Sequence, residues 1–267
     1  MDEAVERARS GDPAAVEELL ARIAPAAHRF ALRMCRNVHD AEDALQDTLL
    51  AVATHLPEFE GRSSLSSWVF ALARSACARR RRGQKNQPPV DDARALETED
   101  HSPSPEQSAE DRELASALTS ALDGLSDEHR EVILLRDVEE LTAPEAADAI
   151  GISIDALKSR LHRAREALRR SLAPVLERSA PPPSSVCPAV AELWTKKLEG
   201  DLHPDDCAAM ERHLDVCPAC RSACESLRRA LVACRRSVTV EVAPDVQQRV
   251  REAMRLWAAR PPASKKS

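Results

Sequence analysis

The chain has 267 residues and a formal net charge of −6; 31% of it is charged, 2% is aromatic, there is no tyrosine, and glycine occurs 6 times. That mix excludes a β-sandwich or β-barrel, which draws on aromatic and β-branched residues and on turn glycines, and points to an all-α fold of two or three domains. The opening "MDEAVERARS" has no apolar signal core and no apolar run is long enough to span a bilayer, so the expectation is a cytosolic chain with no membrane partner and reduced thiols.

The first helical block is read over residues 13–83. Within it "DAEDALQD" (Asp40–Asp47) is an acidic helix face, and "RSACARRRR" (Arg74–Arg82) is strongly basic. "EFEGRSSL" (Glu58–Leu65) separates them as a loop. Residues 84–110 are polar and proline-bearing, with an acidic run from Asp91 to Asp100, and read as a flexible linker. A second helical block covers 111–176. Its basic stretch, Lys158–Arg170, together with Arg74–Arg82, suggests a polyanionic partner, although charge runs are more often solvated faces.

The most readable stretch is "LTAPEAADAIGISIDALKSRLHRAREALRR". Thr142 and Glu145 make a T-x-x-E capping box with Pro144 in the first turn. Gly151 is a natural helix stop, and Ser153 can cap the helix that follows. Ile150, Ile152, Leu157 and Leu161 are expected to form the small core, and Lys158, Arg160, Arg163 and Arg165 to lie on the polar face. This is a helix-turn-helix pattern, in which the second helix enters the major groove and its first turns meet the bases. Ser153, Asp155, Ala156, Lys158, Ser159, Arg160 and Arg163 are the expected DNA-facing set. The plainer alternative is a helical hairpin with a charged outer face.

The stretch from "LDGLSDEHREVILLRD" to "KSRLHRAREALRR" resembles region 4 of the extracytoplasmic-function (ECF) sigma factors. Arg130, Glu131, Val132, the Gly151-Ile152-Ser153 turn and "KSRLHRAR" carry the resemblance. "EAADAI" and "DAL" depart from the family pattern in helix-compatible ways. The first block resembles region 2 through Asp40, Ala41, Glu42, Asp43, Gln46 and Asp47, and then through Phe59, Ser63, Leu65, Trp68, Ala73 and Arg74. The resemblance implies that Asp40, Glu42, Asp43, Gln46 and Asp47 dock on core RNA polymerase. It also implies that the loop with Arg62, Ser63 and Ser64, together with Trp68, reads the −10 promoter element. Arg74, Arg79 and Arg80, with Arg81 and Arg82, would hold phosphate, and region 4 would read the −35 element. Trp68 and Phe70 have a plainer reading as core residues. No residue of such a protein needs to be catalytic, so the chain is not expected to be an enzyme.

A proline spacer occupies 177–186, and a cysteine-rich block follows over 187–236. Its pattern is Cys187-x25-His213-x3-Cys217-x2-Cys220. His213 and Cys217 are four apart and share a helix face, and Cys217-Pro-Ala-Cys220 can turn into the next helix. Four N/S ligands at this spacing suit a closed tetrahedral Zn²⁺ site, against the alternative of buried structural thiols. Cys207, Cys224 and Cys234 are left over; extra soft ligands suit a sensor that takes or exchanges a thiophilic ion.

This block is similar to the zinc-binding anti-sigma fold, including the spacing of Leu198, Gly200 and Leu202. The fusion resembles the metal-responsive ECF sigma factors with a C-terminal cysteine-rich domain, the CorE-like group. It implies a soft-metal input, with Cd²⁺ or Zn²⁺ favoured over copper because the tail has no C-x-C pair. Three readings compete: a redox switch on the same thiolates, an ordinary helix-turn-helix regulator, and a zinc enzyme. A closed three-thiolate site lacks the open position that a zinc enzyme needs. Residues 237–267 form a weaker amphipathic extension with no assigned role.

Overall fold

The computed structural model describes residues 3–35, 37–84, 109–176, 187, 190–236, 248 and 252. Among these the secondary structure is helical throughout, in agreement with the all-α expectation. Most of the expected linker, the proline spacer, most of the C-terminal extension and the side chain of Cys234 lie outside the described residues. No described helix is long and apolar enough to cross a membrane. Two compact units emerge among the described residues: one holds 3–35, 37–84 and Asp148–Ile150, the other 109–147, 151–176, 187 and 190–236.

The first unit is built on α1 (Glu3–Arg9), α2 (Pro13–Met34), α3 (Val38–His55) and α4 (Leu65–Gln84), with a short 3-10 turn at Leu56–Glu58. Helix α1 precedes the expected start at residue 13; seven residues are too few for periodicity to reveal it. It belongs to the fold because Val5 and Ala8 enter the core. Asp12 caps α2, accepting from the Ala14 and Ala15 amides, and Pro13 takes the first helical position, where its missing N–H costs nothing. Asn37 caps α3 by accepting from the Asp40 amide at 2.7 Å. Leu19, Leu45, Leu49, Val52 and Leu56 are buried where α2 and α3 pack, and Phe30 meets Phe70 edge to face at 5.5 Å.

The second unit begins with α5 (Ala109–Asp123) and α6 (Asp127–Ile133), which runs on into a π turn at Leu134–Val138. Arg130 is 1% exposed and donates to the carbonyls of Leu122, Asp123 and Leu125, so its guanidinium closes the end of α5. Helix α7 (Ala143–Ile150) opens on the expected Thr142–Glu145 capping box and stops at Gly151, whose φ of 80° is left-handed. Helix α8 (Ile154–Leu176) starts with the Ser153 hydroxyl accepting from the Ala156 amide. Ile150, Leu157 and Leu161 are buried, whereas Ile152 is half-buried. Helices α9 (Val190–Leu198), α10 (Pro204–Val216) and α11 (Pro218–Arg236) complete the unit, and α8 packs against α5, α6, α9 and α11.

Candidate metal centre and nucleic-acid interface

The metal centre is made by one helix stop and one helix start. Helix α10 ends at Cys217, whose amide donates to the His213 carbonyl at 2.9 Å, so His213 and Cys217 sit one turn apart on one face. Pro218 opens α11, and Cys220 follows in its first turn. Arg221 ties the two helices by donating to the Leu214 and Asp215 carbonyls at the exposed end of α10. Cys187 supplies the fourth donor.

The donor atoms of Cys187, His213, Cys217 and Cys220 all lie within 4.8 Å of one another. Cys187 Sγ and Cys217 Sγ are 3.8 Å apart. A tetrahedron of Zn–S bonds of about 2.3 Å spaces its sulfurs by about 3.8 Å. His213 Nε2 is buried with no hydrogen-bond partner, a cost that a cation beside it removes. Burial, and then the neighbouring Cys187 and Cys217 thiols, push Cys220 up to about 12. Three thiols this close can ionise together only around a cation. The four residues therefore fit Zn²⁺ as a closed Cys₃His set, which leaves no position for a reacting water.

The other cysteines are placed differently. Cys224 follows Cys220 by one turn of α11 and is buried beside Val190 and Met210. Burial raises it to about 11, against a smaller opposite pull from Arg169. Cys207 donates to Glu211 Oε1 at 3.6 Å, and Glu211 in turn pairs with Lys197 at 2.6 Å. Neither shares the four-donor cluster.

The N-terminal half of α8 carries the expected DNA-facing residues. Ser153, Asp155, Ala156, Ser159 and Arg163 are exposed, while Lys158 and Arg160 are half-buried. Arg160 reaches Glu128 at 3.5 Å. Lys158 is ion-paired with Asp201, in the turn after α9. Lys158, Ser159, His162 and Arg163 form one wall of a cleft of about 570 Å³, and Glu192, Glu199, Asp201 and Asp206 stand on the other.

Arg165 corrects the sequence reading. Expected on the polar face, it is 2% exposed and turned inward. Its Nε and Nη2 grip Asp137 at 3.0 and 2.6 Å, and Nη2 also reaches Glu199 at 2.9 Å. Arg136 takes the other Glu199 oxygen at 2.7 Å. Burial works against the Arg165 charge, but the two carboxylates outweigh it and hold its pKa above the ordinary value. Glu199 and Asp201 were not legible as site residues; the signal nearest to them was the Leu198-Gly200-Leu202 spacing.

In the first unit the expected polymerase-facing acids and phosphate-facing bases meet each other. Arg80 donates to Asp43 at 3.0 Å and to Asp47 at 3.2 Å, and Arg79 lies 3.6 Å from Asp47. Asp40, Glu42, Gln46 and Arg74 are half-buried. Arg62 is exposed and bonded to Glu60. Ser63 and Ser64 border a cavity of about 600 Å³ with Phe59 and Val69. Trp68 stacks on Phe59 at 4.9 Å and packs against the core, as its plainer reading had it.

The family model described as Sigma-70 region 2 matches residues 19–87, Sigma-70, region 4 matches 115–168, and the model described as "Putative zinc-finger" matches 187–221. The chain is 35% identical to the RNA polymerase sigma factor CarQ of Myxococcus xanthus, over 63% of this chain and 95% of that protein. It is 32% identical to the ECF RNA polymerase sigma factor SigE of Mycolicibacterium smegmatis, over 61% of this chain and 65% of that protein, just under two thirds of its length. It is 27% identical to the ECF RNA polymerase sigma factor SigW of Bacillus subtilis, over 63% and 94% respectively. The chain belongs to the ECF sigma factors, with sigma-70 regions 2 and 4 followed by a zinc-finger-type domain on the same polypeptide.

Proposed function

We propose that this chain directs core RNA polymerase to its promoters and that its own cysteine-rich domain sets when it does so. Residues 13–83 act as region 2, with Asp40, Glu42, Asp43, Gln46 and Asp47 toward the polymerase. Arg62, Ser63, Ser64, Arg74, Arg79 and Arg80 face the −10 strand, while Trp68 backs that loop through its stack on Phe59. Residues 111–176 act as region 4 on the −35 element through Ser153 to Arg163. The polymerase performs the nucleotidyl transfer, and the chain supplies recognition. The observation that carries the regulatory part is the Cys187, His213, Cys217 and Cys220 cluster, in a domain that packs on region 4 itself.

The regulating input is a soft metal ion, Cd²⁺ or Zn²⁺ before copper. Such an ion shifts activity only if it binds the active and inactive arrangements with different affinity. Cys207, Cys224 and Cys234 are the reserve ligands for the sensed ion, as in the CorE-like group. Run-off transcription from the chain's own upstream promoter tests this, with core polymerase and a panel of Zn²⁺, Cd²⁺, Cu²⁺, Cu⁺ and diamide. Transcription gated by one metal, and lost as a response when Cys207, Cys224 and Cys234 become serine, is the expected result. A response to diamide alone would make the cluster a redox switch, and a metal response untouched by the three substitutions would remove the sensor role of those thiols.

A further inference from the structure

Glu199 and Asp201 are placed by a helix-ending turn. The Gly200 amide donates to the Lys197 carbonyl at 3.1 Å and the Asp201 amide to the Lys196 carbonyl at 2.9 Å. With Gly200 left-handed at φ 71°, this is a Schellman stop. It throws the carboxylates of Glu199 and Asp201, which flank the glycine, toward region 4.

There Glu199 joins a buried cluster in which Arg165 already grips Asp137. Glu199, its side chain 4% exposed, gives one oxygen to Arg165 and the other to Arg136, so a buried carboxylate of the cysteine-rich domain is held by two guanidinium groups of region 4. Asp201 pairs with Lys158, on the face expected to meet DNA.

A recognition helix needs that face open, because it must enter a major groove about 12 Å wide with phosphates on both rims. In this unit the facing wall carries Glu199, Asp201 and Asp206, with Glu192 paired to Lys196 and with His203 beside them, and Asp201 is within ion-pair distance of Lys158. Asp201 on Lys158 occupies a position that a phosphate would take, while Glu199 anchors the same turn through the buried Arg136 and Arg165.

We infer that the turn Glu199–Asp201 is an intramolecular DNA mimic: it holds the cysteine-rich domain against the reading face of α8, and promoter DNA and this domain compete for one surface. This rests on the reading of α8 as the −35 helix proposed above, and it names the step that regulation acts on. Region 4 reads DNA only when the α9–α10 hairpin has moved away. A DNA phosphate then takes over Lys158, which Asp201 releases.

The test uses the zinc-loaded full-length chain, the double variant Glu199→Gln/Asp201→Asn, and the control Glu211→Gln. The control removes one acid from the same domain at a pair with Lys197 that does not touch α8. Two readouts are taken. Binding to a labelled pool of random-sequence duplexes is titrated by anisotropy across a salt series. Lysine acetylation read by mass spectrometry reports Lys158, with the half-exposed Lys196 as internal reference. The double variant should bind DNA about tenfold tighter than the parent. Its logarithmic salt dependence should steepen by about one, since each cation freed for a phosphate adds about 0.9 to the slope. Lys158 should be protected in the parent and in Glu211→Gln and reactive in the double variant.

Equal Lys158 reactivity in parent and double variant would overturn the closed contact. A protected Lys158 with unchanged DNA affinity and salt slope in the double variant would overturn the competition. If neither parent nor variant bound DNA while Lys158 labelling followed the expected pattern, the DNA role of α8 itself would fall, and the mimic with it.

Discussion

Region 2 and region 4 both cross-link their helices with Arg–Asp pairs, and the two differ in how much water reaches them. In region 2, Arg80, Asp43 and Asp47 are 35%, 29% and 36% exposed along their side chains. In region 4, Arg165, Asp137 and Glu199 are 3–5% exposed. Exposed pairs are worth little and trade partners readily. On the proposed reading, the acidic face of α3 gives up its arginines to a polymerase and those arginines turn to phosphate. Removing one partner from such a cluster is costly for as long as it stays buried, because a desolvated charge is left. The pairs of region 2 are open to exchange, whereas the buried cluster of region 4 is completed by Glu199 from the zinc-finger-type segment.

The strongest way to break this comparison is to remove the domain that supplies Glu199. Cys217→Ser or Cys220→Ser should reduce bound zinc from one ion per chain to a small fraction, measured by elemental analysis. Structural zinc contributes apparent binding energies of about 10–16 kcal/mol, so α9 to α11 should then become protease-sensitive while region 2 stays intact. Next in size is Arg165→Ala, which strands Asp137 and Glu199. It should destabilise the second unit by about 3–5 kcal/mol in denaturant titration.

A pH series separates the units on another axis. His28 in region 2 is 4% exposed, and neither ring nitrogen has a hydrogen-bond partner. Burial lowers its pKa, with Glu42 pulling weakly the other way. The unfolded chain therefore binds the proton more readily than the folded one, and stability falls as the pH drops below the ordinary imidazole range. Between about pH 7 and pH 5 region 2 should lose no more than about 1.4 kcal/mol per pH unit, and His28→Leu should flatten that dependence. The smallest effect belongs to Arg80→Ala, which should cost region 2 about 0–1 kcal/mol while leaving its fold unchanged. A cost near that of Arg165→Ala would erase the distinction between the two regions.

Features set by near neighbours were legible in the sequence. The Thr142–Glu145 box, the Gly151 stop and the Ser153 cap each depend on residues within a few positions, and each stands as expected. The Cys₃His set was legible because one helix turn and one C-x₂-C turn bring three of its donors together. The inward turn of Arg165 was not legible. Its place four residues after Leu161 and seven before Leu172 puts it on the buried stripe of α8, but its charge reads as surface, and its partners Asp137 and Glu199 are 28 and 34 residues away. The same holds for Arg130, which was recognised as part of a family motif, while its role in closing α5 needs three carbonyls from the preceding turn. Long-range charge pairing leaves no period in a sequence.

The most direct test of a sigma factor held closed by its own zinc domain is run-off transcription without added inducer. Wild-type chain and Glu199→Gln/Asp201→Asn would be compared with the same core polymerase and upstream promoter. The account predicts that the double variant transcribes constitutively, at the level the wild type reaches only with its metal. Equal transcript from both proteins, with and without metal, would contradict it.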